Sequence, residues 1–269
     1  PEEILDYAHM EVFDINIDIE NFQYDDGTFT GRMEHMDLYD QSGFVLNKLS
    51  AQQVSVSSEK TTLNGLRIVT PYTDIGDTLV FEYDKWLDWS DFNNEVAMDV
   101  HLNNAKIAVS DIMVFAPLLE ENAFFQNNAD KILRANGKIE GEVNNLQAKE
   151  LSLRLNGNTM LEGSFDSRNL AVRNEEFLNL QLNRLRTDAR TVRQLLPNAV
   201  LPSNFDRLGR LAFNGRFVGF FIDFVADGSL QTDIGAADMD MRMNLKPGRN
   251  QAEYSGQLSL ENFDLASWT

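Results

Sequence analysis

The stretch Phe13-Asp14-Ile15-Asn16-Ile17-Asp18-Ile19-Glu20 puts a large apolar residue at every odd position and an acid or amide at every even one. Side chains alternate faces along a strand, so this segment has one greasy face and one wet face. Met239-Asp240-Met241-Arg242-Met243-Asn244-Leu245 repeats the pattern, with looser copies at Leu79–Tyr83, Val96–Leu102, Leu151–Leu155 and Leu178–Leu182. One solvated face per strand indicates antiparallel sheet, because parallel strands covered on both sides read as continuous apolar runs.

Turn chemistry separates these strands. Asp26-Gly27, Asn64-Gly65, Asn136-Gly137, Asn156-Gly157, Asp227-Gly228 and Pro247-Gly248 suit positions where φ turns positive or the chain reverses. Their spacing predicts consecutive hairpins, a meander. Helical signal is sparse. Thr187-Asp188 is placed to cap a short helix with Ala189, Val192, Leu195 and Leu196 on its apolar face and Pro197 at its end. A second helix is expected between Asp111 and Phe125, with Pro117 opening its second half. A loose repeat starts at Leu133, again at Leu211, and for a third time at Tyr254, which divides the chain into sub-units of about 1–132, 133–208 and 209–269. Such self-similarity favours an extended repetitive sheet over a closed globule.

Composition narrows the function. Of 269 residues, Lys+Arg number 23 and Asp+Glu 42, a net charge of −19. No clustered Lys and Arg are read as a phosphate-binding footprint, so no nucleic-acid partner is expected. With 43% hydrophobic residues the chain is too apolar to be disordered. The absence of Cys excludes disulfides, thiolate zinc sites and Cys nucleophiles. The most apolar window, Phe217 to Ala226, is broken by Asp223 and falls short of the roughly 20 residues of a spanning helix. The chain opens Pro1-Glu2-Glu3 without a leader pattern, and Leu258 to Thr269 still alternates like a strand. Both ends read as cut from something longer, so an interior fragment is expected.

Reaction centres find no support. His9, His35 and His101 are scattered, and His101 falls on the polar side of a strand. Asp14, Asn16 and Asp18 imitate the start of a calcium loop, but Ile19 stands where glycine is needed. No Walker loop, GxSxG elbow or GxGxxG fingerprint occurs. We therefore expect no enzyme, no cofactor and no metal. Met239, Met241 and Met243 read either as core filler or as an adaptable apolar surface, Met being flexible and polarizable. Trp86, Trp89 and Trp268 read as packing under loops.

A resemblance emerges from the order of several short motifs. Asp91-Phe92, the strand to Leu102, Ile107, Val109, Asp111-Ile112, Phe115-Ala116-Pro117 and Leu118-Leu119 form one set. Gly137, Ile139, Gly141, Val143, Leu146, Leu151 to Leu153, Thr159 and Gly163 continue it. Ser42 to Leu49, Tyr254 to Leu258 and Asn262-Phe263-Asp264-Leu265 fit the same pattern. Together they resemble TamB-type proteins, the inner-membrane component of the translocation and assembly module, in the AsmA-like superfamily, in versions from Bacteroidetes-type bacteria.

The resemblance implies a mostly β chain: an antiparallel meander curled into a repeating, taco-like β-groove with one or two short helices. It implies an inner-membrane-anchored protein crossing the periplasm of Gram-negative bacteria, with its anchor outside this chain. An outer-membrane barrel of the TamA or Omp85 type is its implied partner. The groove would carry phospholipid acyl chains and support outer-membrane biogenesis. Its expected lining is Phe13, Ile15, Ile17, Ile19, Met98, Val100, Leu153, Leu155, Met239, Met241 and Met243. The alternative fold is a closed β-sandwich with these residues as a dry core. The alternative functions are a structural scaffold and a chaperone-like β module for outer-membrane proteins.

Overall fold

The computed structural model describes residues 12–40, 43–115, 119, 123–155, 157–170, 175–195, 201–220, 222–244 and 253–269. The chain divides into two compact units, residues 1–144 and 145–269. In the first, β1 (Val12–Asp25), β2 (Thr28–Asp40), β3 (Val45–Val56), β4 (Lys60–Val69), β5 (Asp74–Glu82), β6 (Ala97–Ala108) and β7 (Ile132–Gly141) pair antiparallel in chain order. In the second, β8 (Gln147–Leu155), β9 (Thr159–Arg168), β10 (Phe177–Asp188), β11 (Arg210–Phe220), β12 (Asp223–Thr232), β13 (Gly235–Asn244) and β14 (Glu253–Glu261) do the same. Among the described residues neither set closes into a barrel: β1 pairs only with β2, and β14 only with β13. The fold is the mostly β, curled antiparallel meander that the sequence predicts. Among the described residues each unit holds one sheet and no second sheet packed on it.

The turn dipeptides divide into two kinds. Asp26 (φ 42°) and Gly27 (φ 77°) make the β1–β2 hairpin, both with the positive φ of a type I′ turn. Gly157 (φ 73°) lies between β8 and β9; Asn156 and Pro247-Gly248 lie outside the described residues. The other three fall inside strands. Gly65 (φ 59°) is a bulge in β4, where the register slips between Asn64 and Leu66. Gly137 and Gly228 sit within β7 and β12. A bulge requires the same backbone freedom as a turn, so local chemistry alone does not separate them.

Bulges recur through the first ten strands. Asp14 (φ 52°), Asn21 (φ 54°), Asn104 (φ 50°) and Glu150 (φ 52°) adopt the left-handed conformation, each inside a register shift. An extra residue bends the strand and raises its twist, which curls a long sheet. It also resets the alternation. Phe13 pairs with Tyr39 and Ile17 with Met36, so the bulge at Asp14 puts these two pairs out of phase.

Glycines bring the backbones of the second sheet close. Gly215 on β11 pairs with Gly228 on β12, and the Phe213 ring folds over both. A Cβ on Gly228 would lie 2.3 Å from the Asn214 carbonyl oxygen and 2.8 Å from Phe213 Cζ. The ring supplies the apolar cover that two glycines lack.

Short helices sit at strand ends. In the first unit they are α1 (Phe92–Glu95), α2 (Val109–Phe115) and α3 (Ala123–Asn127). The helix expected from Asp111 to Phe125 is thus described as two pieces, α2 and α3, and Pro117 between them lies outside the described residues. Thr70 Oγ1 donates to Asp111 Oδ2 at 2.6 Å and the Ala108 amide donates to Thr73 Oγ1 at 3.0 Å, tying α2 to the β4–β5 turn.

In the second unit α4 (Ala189–Leu195) forms where its cap predicts. Asp188 accepts from the Thr191 amide at 2.9 Å and from Thr191 Oγ1 at 2.7 Å. The chain end departs from expectation, because β14 stops at Glu261 and α5 (Leu265–Trp268) follows. Asp264 caps α5 through the Ala266 and Ser267 amides, and Trp268 turns in against Phe263. Capping and burial of the indole outweigh the alternating pattern there. Leu133, Leu211 and Tyr254, where the loose repeat starts, lie in β7, β11 and β14.

Two outcomes follow from this geometry. Gly228→Ala should lower stability by about 2 kcal/mol or more in urea unfolding, since the new methyl meets backbone. Asp188→Ala should cost about 1 kcal/mol by loss of the α4 cap, with Asp188→Asn nearly neutral at pH 7. Hydrogen bonds from Thr191, Arg210 and Ser267 hold Asp188, Asp233 and Asp264 below the ordinary value of 3.8. A depressed carboxylate stabilises the fold above its unfolded pKa, so this contribution persists at pH 5 and is lost as pH falls below about 4. Melting curves across that range should show it, with a shallower acid slope in Asp188→Asn.

Candidate functional site

Cross-strand partners share a face, so the registers assemble each sheet's surface row by row. In the first unit one row is Ile17–Met36–Leu49–Ile68–Ile75. A second is Val54–Leu63–Leu79–Val100–Ile139 and a third is Phe29–Val56–Thr61–Phe81–Met98. None of the three rows contains a charge. Ala51, Leu63 and Leu66 form a buried strip between them, with Met33, Leu49, Val54, Ile68 and Leu79 packed alongside.

The second unit is more regular. Leu153–Leu161–Leu185–Phe213–Leu230–Ala237–Leu260 crosses all seven strands. Next to it run Leu151–Gly163–Leu182–Gly215–Gly228–Met239–Leu258 and Ala148–Phe165–Leu180–Phe217–Ala226–Met241–Gly256. At 4.7–4.9 Å per strand such a row is about 29 Å long. The opposite face is polar: Ser164–Gln181–Arg216–Asp227–Asp240–Gln257 is one row, and Arg216 pairs with Asp227 at 2.9 Å.

The expected lining residues fall as follows. Ile17 and Ile19 stand opposite Met36 and Met33, with Ile15 in the bulged part of β1; all three are about half exposed along the edge strand. The Phe13 side chain lies outside the described residues. Met98 and Val100 occupy central rows of the first sheet, half-buried. Leu153, Met239, Met241 and Met243 share one face of the second sheet, again half-buried, and Leu155 beside them is 6% exposed. The two groups belong to different units, and each is described within its own.

Each face has a built rim. In the first unit Phe81, Tyr83, Trp86, Trp89 and Phe92 form an aromatic cluster with ring centroids 5.1 to 5.8 Å apart. Trp89 packs inside it, whereas Trp86 is 54% exposed. In the second unit α4, the Phe205–Leu208 turn and α5 close over Ala189, Leu208 and Leu211, with Leu230 and Trp268 against them. Arg193 bonds Asp206 at 2.9 Å and Asn204 Nδ2 donates to the Trp268 carbonyl at 2.6 Å, so this corner is stapled by polar contacts.

Among the described residues only Val96, Val109 and Asn128 are both sizeable and almost fully buried. Within the rows Leu63, Leu151, Leu182 and Ala237 are buried, whereas Leu153, Leu161, Leu185, Met239 and Met241 are half-buried and Leu258 and Leu260 are exposed. Such a face binds apolar chains by area, about 0.8 kcal/mol per methylene buried, and without directional contacts.

One feature escaped the sequence reading. Residues 177–211 hold six Arg against two Asp and no Lys or Glu, a net of +4 in a chain of −19. The expectation of no basic cluster is thus corrected. Arg184 meets Glu162 at 3.5 Å, Arg193 meets Asp206 and Arg210 meets Asp233 at 2.8 Å. Arg154 and Arg186 flank Met160 on neighbouring strands. Local counting of charge along the chain would have found the run; an overall charge of −19 hid it.

The chain matches no protein-family model, no curated protein and no solved structure. Among the described residues no helix is long and apolar enough to cross a membrane.

Open face and packed corner should respond differently to charge. Met241 is flanked by Ala226 and Gly256, so Met241→Arg has room and should shift stability by less than about 1 kcal/mol. Leu211→Arg places a cation in the closed corner and should cost about 3 kcal/mol or more in a thermal melt. Comparable losses for both would mean that the Met face is core.

Proposed function

We propose that this chain is part of a periplasm-spanning, inner-membrane-anchored bridge of the TamB type. It carries phospholipid acyl chains along apolar sheet faces between inner and outer membrane and so supports outer-membrane biogenesis. The single observation that carries this reading is the seven-strand row from Leu153 to Leu260, charge-free and half-covered. A ligand that slides needs contacts that are greasy, repeated and indifferent to position, and such rows supply them. The acidic residues lie mainly on the opposite face and in the turns, where they keep a one-layer sheet soluble. The resemblance in motif order adds the family, and through the family the barrel partner.

A strand-capturing chaperone is the second reading, favoured by the β1 edge. Among the described residues β1 pairs only with β2, leaving fourteen residues of backbone open on one side.

The test is native mass spectrometry with lipid extraction on chain purified without detergent from Gram-negative cells. Co-purifying phospholipid, lost in Met241→Arg while the melt is unchanged, is the expected result. Wild-type chain free of lipid, and unable to take it up from vesicles, would sink the conduit. Saturable binding of an unfolded outer-membrane strand, abolished by proline in β1, would favour the chaperone.

A further inference from the structure

Arg154 is the second-last residue of β8, and Arg186 is two residues from the end of β10. Both pair with Met160 of the intervening strand, so they share the polar face with their Cα atoms two strand spacings, about 10 Å, apart. Both side chains are exposed, and neither makes a hydrogen bond or ion pair among the described residues. Arg184 precedes Arg186 on the same face and is only loosely held by Glu162 at 3.5 Å. On this acidic chain, other basic residues such as Arg67, Arg210 and Arg216 are each in contact with a carboxylate, at 2.8 to 2.9 Å. The same three strands carry Leu153, Leu161 and Leu185 on their other face. Unneutralised guanidinium groups and half-buried leucines therefore lie on opposite faces of the same three strands.

We propose that Arg154 and Arg186, assisted by Arg184, hold the phosphodiester head group of an anionic lipid whose chains lie on the apolar face. The inference rests on the lipid-conduit reading and adds head-group selection to it. Guanidinium matches phosphate oxygens in a two-pronged geometry that a lone ammonium lacks. A local positive patch on a negative molecule concentrates anions there and nowhere nearby. Neutral lipids gain only the apolar contact.

The experiment titrates the 269-residue chain with fluorescent phosphatidylglycerol and, separately, with diacylglycerol bearing the same acyl chains. Arg154→Gln/Arg186→Gln should weaken phosphatidylglycerol binding roughly fivefold and leave diacylglycerol unchanged, with an unaltered melt. Arg154→Lys/Arg186→Lys should recover part of the loss. Unchanged phosphatidylglycerol affinity, with diacylglycerol still bound, overturns the head-group site and leaves the conduit standing. An equal loss for both lipids also overturns it, the arginines then being structural. If neither lipid binds the wild type, both proposals fall. Displacement of the lipid by an equal concentration of inorganic phosphate would make the patch a soluble-anion site, and tighter binding of a single-stranded oligonucleotide would make it a nucleic-acid surface; either result rejects the lipid.

Discussion

A long strand cannot both coil and keep strict period-two alternation, and the rest of this fold depends on how that conflict is resolved. Bulges at Gly65, Asn104 and Glu150 each insert one residue, bend the strand and return the next apolar side chain to the common face. Without them the strands, many of ten residues or more, would twist their apolar rows apart. With them Val54, Leu63, Leu79, Val100 and Ile139 line up across five strands. The close approach at Gly215 and Gly228 serves the same end in the second unit, and the Phe213 ring restores the cover that glycine gives up.

Once the rows are in phase, the question is what covers them. A helix laid across the sheet would do so, but among the described residues the helices are four to seven residues long and stand at strand ends. They form small sealed corners, of which Ala189, Leu208, Leu211 and Trp268 are the best packed. Between the corners each face mixes buried residues such as Leu63, Leu102 and Leu151 with half-buried ones. Polar contacts are concentrated where the chain turns, as in Thr70–Asp111, Asp188–Thr191 and Arg210–Asp233. These rims are therefore held by directional bonds, whereas the apolar faces are held by area.

Much of the architecture was legible in the sequence. Alternation at Ile17–Ile19 and Met239–Met243 specifies antiparallel strands with one greasy side, and Asp188 with its apolar triplet specifies α4 and its cap. Which residues of one strand share a face was legible for the same reason, since face membership in an unbroken strand is a matter of parity. What was not legible involves parity being reset. Asn64-Gly65 looks like a turn because a turn and a bulge both take a positive φ, whereas Asp227-Gly228 lies in an unbroken register where Gly228 makes room for Gly215 and the Phe213 ring. Asp264 and Trp268 break an alternating tail because a cap and a half-buried indole packed on Phe263 outweigh it. The Arg154–Arg186 pair comes from residues over thirty positions apart and exists only through Met160 between them.

By itself, then, the sequence determined strand chemistry, the order of the meander, the capped helix and the apolar character of one face. These are local properties, set by side-chain period and backbone preference within a few residues. Only the tertiary structure decided which strands are in register, where bulges shift them, which corners close, and that among the described residues each unit has a single sheet. Those depend on pairing between residues far apart in the chain, where a one-residue slip exchanges the two faces.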